Sequence, residues 1–161
     1  MAAALLEPLL EMLTQQLVVA TGAGTVSHGV FVLHLAPPEL VPTAWRLKRE
    51  FGFDLLLDVT AIDWLGQTPR FEVVHHFYAS TAALRVRLKT RVAEDHAVVD
   101  SLVDLYASAA FMERECHDMV GIGFRGNEDL RPILLYEGFV GHPLRKDYAK
   151  THEQPLVPYR T

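Results

Sequence analysis

Leu5, Leu9, Leu10, Met12, Leu13 and Leu17 recur at helical spacing, so residues 3–18 are expected to form an amphipathic helix that ends before the Thr21-Gly22-Ala23-Gly24 turn. Residues 29–35 are β-rich and stop at Pro37-Pro38, where fixed φ and missing donors discourage continuation. A second helix is expected over residues 39–51, ended by Gly52. Three β-rich runs follow at 54–64, 70–79 and 83–91. The first two are joined by Gly66-Gln67-Thr68-Pro69, a short loop that favours an antiparallel hairpin. In the third, Leu84, Val86 and Leu88 alternate with Arg85, Arg87 and Lys89, the period of a strand with one wet face. Ser101 followed by Asp104 resembles a capping box and opens a helix expected over 102–120, bent near Ala107-Ser108 and stopped by Gly121. Beyond Gly121, Gly and Pro recur so often that no confident helix or strand is expected. The pattern predicts an α+β fold: a two-layer sandwich of a mainly antiparallel sheet with helices on one face, formed by residues 1–121, plus an extended irregular C-terminal arm over 122–161.

Composition narrows the function classes. The chain has 161 residues, half of them hydrophobic, enough for one domain with a real core. A net charge of -5 gives no electrostatic reason to expect nucleic acid, whose phosphates attract clustered Lys and Arg, so no nucleic acid partner is expected. The single cysteine, Cys116, can make neither an internal disulfide nor a cluster site. Residues 12–38 lack charge, but Gln15, Gln16, Gly22, Gly24, Ser27, His28 and His34 interrupt them and argue against a membrane span. The start, Met-Ala-Ala-Ala with Glu7 and Glu11 inside the apolar run, lacks the basic residues of a secretory signal. Membrane contact is expected only through partners.

The densest polar cluster is Glu113-Arg114-Glu115-Cys116-His117-Asp118. On a helix it sets Arg114 and Asp118 on one face and Glu113 and His117 on another. A metal-dependent hydrolase using Glu113, His117 and Asp118 is one reading. Helix-surface ion pairs and partner contacts are the simpler one, since no His-Glu-x-x-His pattern or further ligand pair accompanies them. Cys116 and His117, adjacent on a helix, point about 100° apart and make a poor nucleophile and base. His75 and His76 fall on opposite faces of a strand. Gly22-Ala23-Gly24 and Gly121-Ile122-Gly123 read as turns, because no phosphate-binding fingerprint follows either. The last cluster is Gly141-His142-Pro143-Leu144-Arg145-Lys146-Asp147-Tyr148, preceded by residues 129–135. Backbone groups left unpaired in such a run need another surface, so docking is its expected use. Arg131 and Arg145 would offer bidentate donors to a partner's carboxylates, and Tyr148 an amphipathic anchor.

At these residues the sequence resembles the 30 kDa-type (C-type) subunit of respiratory NADH:quinone oxidoreductase, complex I. The resemblance lies in Glu113-Arg114-Glu115-x-x-Asp118-x-x-Gly121-Ile122-x-Phe124-x-Gly126, then Asp129-Leu130-Arg131-x-Ile133-Leu134, then Gly141 to Tyr148. It is strong from Ser101 to Tyr148. Asn127 stands where that family usually has His, Glu128 and Ala149 where it has Pro, and His117 where an aromatic is common. The resemblance implies a non-catalytic subunit of the peripheral arm of a proton-pumping complex, on the cytoplasmic face of the membrane, bracing the quinone-reducing D-type subunit. It implies no cofactor in this chain, with FMN, iron-sulfur clusters and quinone held by partner subunits. It places Glu113, Arg114, Glu115, Asp118, Arg131, His142, Pro143, Leu144, Arg145, Lys146, Asp147 and Tyr148 at the subunit interface. The same domain also resembles subunits of ferredoxin-linked complexes and membrane-bound hydrogenases; the intact Gly141–Tyr148 block favours the respiratory reading.

Overall fold

The computed structural model describes residues 24–154. The helix expected over 3–18 and Pro155 and Pro158 of the arm lie outside the described residues. Strands β1 (Thr25–Ser27) and β2 (Val30–Leu35) pair across His28-Gly29. Both turn residues hold positive φ, 52° and 73°, which matches the strands' right-handed twist. The chain then passes through Pro37–Glu39 into α1 (Leu40–Arg49), where the Ala36 N–H donates to the Glu39 carboxylate at 2.8 Å. Leu40, Thr43, Ala44 and Leu47 form the buried stripe of α1. Arg46, Lys48 and Arg49 crowd its last turn, the negative end of the helix dipole.

Strands β3 (Leu55–Asp63), β4 (Phe71–Ala79) and β5 (Leu84–Val92) form an antiparallel meander. Strand β5 also runs parallel to β2, so the sheet order is β1-β2-β5-β4-β3. The α+β class and the mainly antiparallel sheet are therefore as the alternation predicts. One face of this sheet carries Leu33, Phe71, Phe77, Val86 and Leu88, with Phe77 opposite Val86 and Phe71 opposite Val92. Ala44 and Leu47 of α1 join the same cluster, as do Ala109 and Cys116 of α2 (Ala109–Val120). Both helices thus cover one face. Strand β3 is a sheet edge and is bulged between Leu56 and Asp58.

Helix α2 starts at Ala109 and not near residue 102. Ser101 caps no helix: its hydroxyl donates to Glu113 at 2.7 Å and accepts from the Val103 N–H at 3.1 Å. Residues 101–108 instead run as consecutive turns that push Leu102 and Tyr106 into the core. The Tyr106 hydroxyl donates to the Phe53 carbonyl at 2.8 Å, and Lys48 Nζ donates to the Leu105 carbonyl. Apolar side chains at 102, 106 and 109 keep a helical period here without a helix.

Past Gly121 the chain keeps feeding the core. Ile122 is fully buried and Phe124 nearly so, and β7 (Gly123–Arg125) pairs in parallel with β6 (Val98–Asp100). This two-stranded ladder contradicts the expectation that nothing regular follows Gly121. The irregular run begins at Gly126.

Candidate functional site

The residues singled out by sequence converge on the C-terminal end of α2, where the last carbonyls of any helix lack intrahelical donors. The Leu144 N–H donates to the Met119 carbonyl at 3.0 Å, and Arg145 Nε donates to the Val120 carbonyl at 2.6 Å. His142 Nδ1 lies 2.9 Å from the Asp118 carbonyl, and His117 Nδ1 2.8 Å from that of Ile122. The segment 142–145 is thus the cap of α2, with a guanidinium at the negative end of its dipole. Gly121 makes this approach possible. Its φ is +81°, and a Cβ there would lie 2.5 Å from both Arg145 Nη2 and the His142 ring.

The acidic residues of α2 tie down the arm from the other side. Asp118 Oδ2 accepts from the N–H groups of Ile133, Leu134 and Leu135 at 3.1, 2.9 and 2.9 Å. Burial opposes its charge, but the three amides outweigh it and hold Asp118 below the ordinary carboxylate range. Glu113 is fully buried and accepts from Ser101 Oγ, the Leu102 N–H and Asn127 Nδ2 at 2.7, 2.8 and 3.0 Å. Burial pushes its pKa up against those three bonds. Arg114 donates to the Arg131 and Pro132 carbonyls, each at 3.1 Å, and pairs with Asp129 at 3.6 Å. Only Glu115, among the charges of this run, faces solvent.

A second clamp holds the far end of the arm. Arg70 is nearly buried, forks onto both Asp63 oxygens at 2.8 and 2.9 Å, and meets Glu94 at 2.5 Å and Asp147 at 2.9 Å. The Lys146 N–H donates to Asp63 Oδ2 at 2.8 Å. Hydrogen bonding from Arg70 comes first among the causes that draw the pKa of Asp63 and of Asp147 down. The Arg70 and Arg145 guanidiniums each lie 4.9 Å from the centre of the Phe71 ring. Sequence reasoning missed Asp63 and Arg70. The available signal was their symmetric placement on either side of the Gly66–Pro69 turn, where a hairpin makes them neighbours.

Arg131 and Arg145 are not left free for carboxylates of another chain, as the sequence suggests. Asp129 holds Arg131 at 2.8 and 3.0 Å, and Arg145 is spent on the end of α2. Tyr148 packs within the arm, stacked on Phe139 with ring centres 6.1 Å apart and set against Gly141, while its hydroxyl accepts from Gln154 Nε2 at 3.0 Å. Pro143 is half-buried. Nor do Glu113, His117 and Asp118 form one centre, because each is committed to a different backbone segment. Among the described residues no group of three or more His, Cys, Asp or Glu is arranged to hold a metal ion.

The arm's outward surface mixes charges, such as Glu128, Arg131, Glu137 and Lys146, with large apolar side chains. Leu134, Val140 and Leu144 are 60%, 72% and 61% exposed, and Phe111 of α2 is 63% exposed. A cleft between α2 and the arm is lined by His117, Asp118, Leu130, Leu135, Val140 and His142. An apolar surface on a backbone whose polar groups are already satisfied can bury against a partner without leaving donors stranded. Among the described residues no helix is long and apolar enough to cross a membrane.

Residues 33–154 match the family model described as respiratory-chain NADH dehydrogenase, 30 Kd subunit. The chain is 44% identical over 110 residues to the C-type subunit of the NADH-quinone oxidoreductase of Geotalea uraniireducens, covering 68% of this chain and 67% of that protein. It is 40% identical over 128 residues to the protein of the same name from Agrobacterium fabrum, covering 78% and 64%. The match thus spans about two thirds of the length of these relatives. Among solved structures, a trypsin-resistant fragment of Nqo5 superposes with a TM-score of 0.66 at 26% identity, over 78% of this chain and 98% of the fragment. A chain of the membrane-bound sulfane sulfur reductase, an archaeal respiratory membrane complex, superposes with a TM-score of 0.74 at 25% identity, over 88% and 86%.

Proposed function

Because this chain belongs to the 30 kDa subunit family of respiratory-chain NADH dehydrogenase, we propose that it is a docking subunit of a proton-pumping NADH:quinone oxidoreductase that performs none of the redox chemistry itself. In this reading it sits at the cytoplasmic face of the membrane, in the peripheral arm, and braces the quinone-reducing D-type subunit. FMN, the iron-sulfur clusters and quinone are held by partner subunits, and electrons pass from NADH to quinone there. The observation that supports it is the state of the arm: Asp118 and the end of α2 hold it at Ile133–Leu135 and at Leu144-Arg145, while the side chains of Leu134, Val140 and Leu144 face outward. Anchoring at those points lowers the ordering entropy that assembly has to overcome.

The test is the double variant Val140→Asp with Leu144→Asp. The isolated chain is expected to keep its melting temperature, because neither side chain is in the core. The amount recovered in the assembled membrane complex is expected to fall at least tenfold, about 1.4 kcal/mol. Normal recovery would overturn docking through the arm. A second reading, a homologous subunit of a ferredoxin-linked complex or membrane-bound hydrogenase, is favoured by the likeness to a chain of the sulfane sulfur reductase complex. Mass spectrometry of the co-purifying chains separates the two by the electron-donor subunit it finds.

A further inference from the structure

The sheet face opposite the helices carries a row of cations. Arg85, Arg87, Lys89 and Arg91 alternate along β5, opposite Tyr78, His76, Val74 and Glu72 of β4. At two residues per step the row spans about 20 Å. The acids on this face, among the described residues, are Glu72 and, opposite His76, Asp58. Glu72 is committed to Trp64 Nε1 at 2.8 Å and Lys89 at 3.2 Å. Arg85 lies over the Tyr78 ring at 5.2 Å and Arg91 over Trp64 at 5.0 Å, which holds both guanidiniums in place. Arg87 stands between them, partly exposed; its Nε is enclosed by this chain and has no acceptor among the described residues, so the accessible part of the side chain is what a partner can meet. Neither α1 nor α2 reaches this side; Val32 and Val74 are buried on it, apart from the main core cluster.

We propose that this face is a second docking surface, receiving a carboxylate-bearing segment of a neighbouring subunit with Arg87 as its central donor. The inference rests on the docking reading above. Local charge selects the occupant. Four cations against two acids favour a short segment with two or three carboxylates, and arginine's planar fork suits them. A long polyanion or an anionic membrane would meet the whole chain, whose net charge is -5.

A photo-crosslinking amino acid at position 85, in the intact membrane complex, tests this. Mass spectrometry is expected to find a cross-linked peptide from another subunit with at least two Asp or Glu side chains. Its yield should drop about tenfold with Arg87→Glu and persist with Arg87→Lys. Should Arg87→Glu fail to fold, Arg87→Gln, which removes the charge without adding a carboxylate, gives the same readout. A cross-link to residues 1–23 of this chain, to a peptide without acids, to lipid or nucleic acid, or none in a complex that assembles, overturns this surface and leaves the arm reading standing. A chain recovered only outside any complex overturns both.

Discussion

Arg70 and Asp147 are 77 residues apart in sequence and 2.9 Å apart in space, and their pair fastens the end of the arm to the turn between β3 and β4. Asp147→Asn should cost on the order of 1 kcal/mol, because half of that side chain is in water, which screens the pair. Arg70→Ala should cost more, about 3–5 kcal/mol, since it strands the buried Asp63 carboxylate. Urea denaturation of both variants checks the order; equal losses would mean that Asp63 does not depend on Arg70.

Asp118 makes the arm sensitive to acid. Its pKa is lower in the fold than in the open chain, so the stabilisation is complete above about pH 4 and is lost as pH falls through the folded value. Hydrogen exchange at Ile133, Leu134 and Leu135 should accelerate in that window. Asp118→Ala should accelerate it at neutral pH as well, with a loss of about 2–3 kcal/mol for three stranded donors.

Gly121→Ala should displace the cap of α2. Positive φ and a 2.5 Å approach to Arg145 and His142 act together, so a loss of at least about 1–2 kcal/mol is expected, read as a lower melting temperature. A variant as stable as the parent would show that the arm does not lie against this residue.

His75 is fully buried, and neither ring nitrogen has a partner among the described residues. Desolvation, with the nearby His76 adding to it, pulls its pKa down to about 3. The unfolded chain therefore takes up a proton that the folded chain refuses. Stability from this residue is present above about pH 6.5 and falls by about 1.4 kcal/mol per unit as pH drops toward 3. His75→Phe should remove that slope between pH 6.5 and 5 in urea titrations, and at pH 7 it should stabilise by roughly 1 kcal/mol.

The strands were legible because their side chains obey a period that only a sheet satisfies: Leu84, Val86 and Leu88 point one way and Arg85, Arg87 and Lys89 the other. The start of α2 was not, because Leu102, Tyr106 and Ala109 repeat at helical distance while serving as plugs on a turning chain. The motif at Glu113–Asp118 announced itself by charge density, but its use was hidden. Asp118 binds amides 15 to 17 residues later, and no local spacing encodes that. The arm likewise looked short of hydrogen-bond partners because its partners are the unpaired carbonyls of a helix already passed. An end to the chain after Gly121 should accordingly abolish folding, since Ile122 and Phe124 would go with the arm; a cooperative melt of that fragment would contradict this.

The sheet order places β5 at the centre, although it is the last of the five strands to be made. Until residue 92 has left the ribosome, the β1-β2 and β3-β4 hairpins each wait with an open inner edge. The nascent chain therefore exposes two sticky ladders at once, and its fate during synthesis turns on how soon one arginine-rich strand arrives to close both.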